Sequence, residues 1–147
     1  MDKDANYWDE LLGHGKKIFG VAVDDGHSMS DHCNGWVMVN AENNVASILE
    51  ALKNGAFYSS TGPEIYDFYL EDDLFVVECS PAAKIRCVCD NHRFRNIYPG
   101  GDKNQPGTIT RGEFEYDNEP YVRISVIDRS GKIAWTNPIF YDQIPKK

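Results

Sequence analysis

No apolar run in this sequence approaches the roughly 20 residues needed to cross a bilayer, so a membrane-spanning helix is not expected. The N-terminus, Met1-Asp2-Lys3-Asp4, opens on charge with no apolar stretch behind it, and no secretory signal is expected there. Basic residues are scarce: 15 Lys and Arg against 23 Asp and Glu leave a formal charge of -8. A negative surface repels the phosphate backbone of nucleic acid and an anionic membrane face, so neither is an expected partner. Cysteine is sparse too. Cys33, Cys79, Cys87 and Cys89 are the only thiols, and Cys87 and Cys89 alternate along an apolar run, facing one way on a strand. With no export signal, reduced thiols and a cytoplasmic location are expected. The lone Cys-x-Cys has no second ligand pair, so it does not suggest structural zinc. Disorder is not expected either, because 8 Tyr, 7 Phe and 3 Trp supply ample apolar area.

What is present divides into two parts with different periods. Residues 4–12 carry Tyr7, Trp8, Leu11 and Leu12 at helical spacing, and Gly13 and Gly15 then stop the helix. The unbroken apolar run Ile18-Phe19-Gly20-Val21-Ala22-Val23 predicts a strand buried on both faces, as in parallel α/β sheets. A polar loop follows it over 24–35, at the strand end where α/β proteins bind ligands. Trp36–Val39 predicts a short strand. Val45, Ile48, Leu49 and Leu52 then predict an amphipathic helix, with Asn44 as its N-cap and Gly55 in the left-handed position after its end.

From Phe57 onward the period becomes two. Strands are predicted at 57–60, 64–70, 74–79, 84–90, 108–116, 121–128 and 133–141, separated by turn signals such as Glu71-Asp72-Asp73 and Arg129-Ser130-Gly131. Short strands at regular spacing with no intervening helix predict an immunoglobulin-like antiparallel β-sandwich behind a small α/β segment, a mostly β chain. Trp36, Trp135 and the other aromatics are expected in its core.

The chemistry-bearing stretch is Val23-Asp24-Asp25-Gly26-His27. A carboxylate and an imidazole two residues apart can point into one pocket, and Gly26 allows a tight turn between them. Carboxylate oxygen plus imidazole nitrogen suits Zn, Mn or Fe, ions that activate water for hydrolysis. Taken bare, Asp-x-His also fits an ordinary solvated turn. Around it, in order, stand Trp8-Asp9-Glu10-Leu11-Leu12, Gly20-Val21-Ala22-Val23-Asp24-Asp25-Gly26-His27, Gly35-Trp36-Val37-Met38-Val39 and Phe57-Tyr58-Ser59-Ser60-Thr61-Gly62-Pro63-Glu64-Ile65. This ordered set resembles the end of the polymerase-and-histidinol-phosphatase (PHP) superfamily of metal-dependent hydrolases, in the subgroup that carries a domain behind its catalytic barrel.

The resemblance implies that residues 1–55 are an α/β remnant of the PHP barrel holding its last metal-ligand motif, and that 56–147 are a C-terminal β-sandwich. It implies Asp25 and His27 as ligands of a divalent metal (Zn, Mn or Fe) and Asp24 as a carboxylate behind them or a loop cap. Ser59 and Thr61 become candidates on the substrate side, the parent reaction being hydrolysis of a small phosphorylated substrate. The family's opening His-x-His is absent, and His14, His32 and His92 are scattered. Catalytic metal sites usually take at least three protein ligands, so this chain is expected to be catalytically incomplete and to bind metal weakly. Its implied partner is the missing N-terminal part of the barrel. The alternative is a non-catalytic β-sandwich module used for binding. His32 and Cys33 share the loop with Asp25 and read as loop residues. Thr61-Gly62-Pro63 reads as a turn, and His92-Arg93-Phe94-Arg95 as a solvated hairpin tip.

Overall fold

The computed structural model describes residues 3–90 and 93–144, and the predicted tip residue His92 lies outside them. The chain is mostly β, an antiparallel sandwich preceded by a small α/β segment. It opens with α1 (Lys3–Gly13), followed by irregular chain to β1 (Trp36–Val39), then α2 (Val45–Asn54) and β2 (Phe57–Ser60). The rest is β3 (Ile65–Glu71), β4 (Leu74–Ala82), β5 (Lys84–Val88), β6 (Phe94–Ile97), β7 (Ile109–Glu115), β8 (Tyr121–Ile127), β9 (Ile133–Thr136) and β10 (Ile139–Phe140). One sheet runs β1-β2-β9-β8-β5-β6, with β10 also on β8, and the facing sheet is β3-β4-β7. Local chemistry accounts for the joints. Asn44 accepts from the Ser47 N–H to start α2, and Gly55 ends it at φ 73. The β3–β4 hairpin turns on Asp72 and Asp73, both at positive φ, as a two-residue turn requires.

The core lies between the sheets, where Phe75, Val77, Ile85, Val122, Ile124 and Val126 are all buried. Cys79, Cys87 and Cys89 are free thiols within that core, while Cys33 is free and exposed. Burial pushes the Cys79 thiol up to about 11 and that of Cys87 to about 12, so both are inert at neutral pH. No helix among the described residues is long and apolar enough to cross a membrane.

β8 is buried on both sides. Val122, Ile124 and Val126 point into the core, whereas Tyr121, Arg123 and Ser125 alternate onto the outer face. There α1 covers them. Leu12 packs with Tyr121, Val88 and Phe140. Asp9 receives a two-pronged ion pair from Arg123, Nε to Oδ1 at 2.6 Å and Nη2 to Oδ2 at 2.5 Å. The Trp8 ring lies 4.7 Å from the same guanidinium.

The structure departs from the sequence reading in several places. Residues 18–23 form no strand: they run as irregular chain, with Val21 62% and Val23 70% exposed. A strand apolar on both faces needs cover on each face and a ladder partner, and among the described residues this segment joins no sheet. The segment is tethered through side chains instead, at Ser59, Asn137 and Trp8. The expected solvated tip is partly strand. Phe94 opens β6, and Arg95 pairs with the buried Glu119 at 2.8 Å and donates to the Glu115 carbonyl. Trp36 and Trp135 are half-buried at the margin of the fold and stand outside the core cluster. On α2 only Ala51 is buried, while Val45 and Leu49 remain exposed.

Candidate functional site

The loop after Val23 is built around one carboxylate. Asp24 accepts the backbone N–H groups of Cys33 (2.9 Å), Asn34 (2.7 Å) and Gly35 (2.9 Å) on its two oxygens. These bonds close the loop into a ring, and the Gly35 N–H, followed by that of Cys33, holds the Asp24 carboxyl below its ordinary range. Such engagement is that of a loop cap. Gly35 must be small here, because a Cβ would lie 2.7 Å from the Val23 carbonyl oxygen.

Asp31 secures the other half of the loop. It accepts the N–H groups of His27 (3.0 Å) and Ser28 (2.7 Å), and the His27 contact is the main reason its carboxyl is lowered. Asp25 and His27 sit exposed between these two clamps. Asp25 is in the left-handed region at φ 48, a conformation that Asp tolerates better than most residues. The His27 ring Nδ1 lies 2.7 Å from the Asp25 carbonyl oxygen. A carbonyl can only accept, so Nδ1 carries the proton and donates. Neutral His27 therefore keeps its lone pair on Nε2, the arrangement that metal-ligating histidines adopt.

A cleft of about 440 Å³ opens beside Asp25. Its walls come from α1 through Asp4 and Trp8, from the segment around Val21 and Val23, and from β2 and β9 through Ser59 and Trp135. Thr61 lines it as well. Asp25, Ser59 and Thr61 thus share one cavity, whereas His27 stands outside its lining. The hydroxyls of that wall are engaged with backbone. Ser59 Oγ donates to the Gly20 carbonyl at 2.8 Å and accepts the Ala22 N–H at 3.1 Å. Thr61 Oγ1 accepts the Ile133 N–H at 2.9 Å and donates to the Ile133 carbonyl at 3.1 Å. In the following turn, the Ser60 hydroxyl bonds to the Pro63 carbonyl and accepts the Gly62 N–H.

Among the described residues, no group of three or more His, Cys, Asp or Glu side chains is placed to hold a metal ion. His32 packs near Gly26, with its ring Cδ2 at 3.9 Å from the position of a Cβ there. His14 caps the end of α1, its Nδ1 at 2.7 Å from the Glu10 carbonyl. Two features escaped the sequence reading. Trp135 joins the cleft, although alternation marked it only as an apolar strand residue. The Asp9–Arg123 pair fixes the α1 wall, and its one sequence signal was an arginine inside an otherwise apolar strand. Comparison with protein-family models, with curated proteins and with solved structures found no match.

Proposed function

We propose that this chain is the C-terminal part of a PHP-type metal-dependent hydrolase, with Asp25 and His27 as the ligands of its last metal-binding motif. The supporting observation is the His27 contact: Nδ1–H is committed to the Asp25 carbonyl, which leaves the lone pair of the neutral ring on Nε2, on a loop already held in shape by Asp24 and Asp31. Carboxylate oxygen and imidazole nitrogen fit zinc, manganese or iron in donor type. A bound divalent ion of this kind supplies Lewis acidity for hydrolysis of a phosphoester. The chain's own residues contribute position. Asp24 fixes the loop, Asp25 and His27 offer donors, and the cleft walled by Trp8, Val21 and Trp135 adjoins Asp25.

Two donors are fewer than a catalytic centre takes, and the remaining ligands belong in this reading to the N-terminal part of the barrel. Each missing donor is replaced by water, and ordering entropy opposes binding at the isolated loop. The chain alone is therefore expected to bind Zn²⁺ or Mn²⁺ in the millimolar range, on the order of 4 kcal/mol, and not to hydrolyse p-nitrophenyl phosphate. Titration calorimetry with the chain and its His27→Ala variant tests this. Millimolar binding lost in the variant supports the reading, and binding that His27→Ala leaves unchanged overturns it. Stoichiometric binding at micromolar metal with turnover would show the site to be complete without a further segment.

A further inference from the structure

The two sheets differ in width, and the difference leaves a second cavity on the far side of β2 from the Asp25 cleft. The sheet β3-β4-β7 covers β5 and β8, while the larger sheet continues beyond β9 into β2 and β1. Register shows what its uncovered inner face carries. Ala134 lies in the core, so Thr136, two residues on, shares that face. Thr136 pairs with Tyr58, and Tyr58 pairs with Met38. The opposite wall is β3, with Tyr66 and Phe68. Together they bound a groove of about 830 Å³, within the roughly 300–1,000 Å³ typical of small-molecule sites.

The lining is chemically selective. Tyr66 is 64% exposed and Met38 45%, so apolar faces meet solvent there. The Tyr66 hydroxyl donates to Glu64 Oε2 at 3.0 Å. Amides from Asn40, Asn54 and Gln143 line it, the Gln143 oxygen accepting the Phe140 N–H at 2.8 Å, and among the described residues no lysine, arginine or histidine does so. Among the described residues a phosphate or carboxylate ligand would find no cation and two carboxylates, Glu64 and Asp67. Glu64 accepts from the Tyr66 hydroxyl and Asp67 from the Phe68 N–H at 2.9 Å. Amides both donate and accept, as hydroxyl groups do. Flat aromatic faces suit the C–H faces of a pyranose ring. An occupant with apolar faces and hydroxyl edges answers both features.

We propose that this groove binds a neutral oligosaccharide, its ring faces against Tyr66 and Tyr58 and its hydroxyls on the amides. The test is calorimetric titration of the full chain with four neutral tetrasaccharides: β-1,4-glucose, α-1,4-glucose, β-1,4-xylose and β-1,4-N-acetylglucosamine. At least one is expected to bind. Tyr66→Ala and, independently, Met38→Ala should weaken it, Tyr66→Ala by roughly tenfold, while Tyr66→Phe and the distant Val45→Ala bind as the parent does. Circular dichroism melts confirm that each variant folds. Failure of all four sugars to bind at millimolar concentration overturns the proposal. So does binding that both Tyr66→Ala and Met38→Ala leave intact, Tyr66-dependent binding of spermidine or inositol hexakisphosphate in place of the sugars, or a Tyr66-dependent dimer in sedimentation.

Discussion

Asp24 shows how much one side chain can do for a loop with little other support. Its two oxygens hold three consecutive N–H groups, at Cys33, Asn34 and Gly35, across a loop that exposes most of its residues. Because its folded-state pKa is depressed, its contribution is fully present above the ordinary value of 3.8 and fades only as pH falls through the lower folded value. The amide proton shifts of those three residues should therefore hold constant through pH 3.8 and move together only below it; a midpoint at or above 3.8 would contradict the assignment. Asp9 and Arg123 act at the same scale but in a dry setting, both buried and joined through two bonds. Asp9→Ala would leave a buried guanidinium unpaired, so urea unfolding should report a loss of about 3–5 kcal/mol. Replacing the pair together, Asp9→Leu with Arg123→Met, should recover most of that loss, because the cost lies in the orphaned charge.

Among the elements, β8 explains both what the sequence disclosed and what it concealed. The alternation Tyr121-Val122-Arg123-Ile124-Ser125-Val126 identifies a strand and its core face, since period two is intrinsic to the pleat. It cannot say that the polar face is covered, because that depends on α1, more than a hundred residues earlier in the chain. The other strands between β2 and β9 were legible for the same local reason, as were the Asn44 and Gly55 caps of α2. β6 was not, since Phe94-Arg95-Asn96-Ile97 at a sheet edge has two polar members and few apolar neighbours to mark it. The segment 18–23 misled in the opposite direction. Its composition suits a buried strand, but strand formation depends on a hydrogen-bonded partner and on cover for its faces, and composition carries no record of either. The dependence of the sandwich on α1 is testable. A chain beginning at residue 14 keeps both sheets but loses Asp9 and Leu12, and it should unfold with at least about 3 kcal/mol less stability than the whole. Equal urea midpoints would show that α1 contributes nothing.

At the scale of the whole molecule, β2 is the hinge of the arrangement. Ser59 lines the Asp25 cleft, while Phe57 and Tyr58 line the groove beside β3, so one short strand contributes to two cavities of different chemistry. The Asp25-Gly26-His27 motif was legible because it is contiguous and has a characteristic donor set. The cleft beside it was not, because Trp8, Ser59 and Trp135 come from three distant parts of the chain. Manganese-induced line broadening, recorded residue by residue by NMR on the full chain, tests the metal-ligand reading most directly. Sub-stoichiometric Mn²⁺ should broaden first the resonances of Asp25 and His27, then those of the loop over 24–33, with the effect abolished in His27→Ala. Broadening that instead starts at another acidic site, such as Glu71–Asp73, and persists in His27→Ala would contradict the assignment of Asp25 and His27 as a metal-ligand pair.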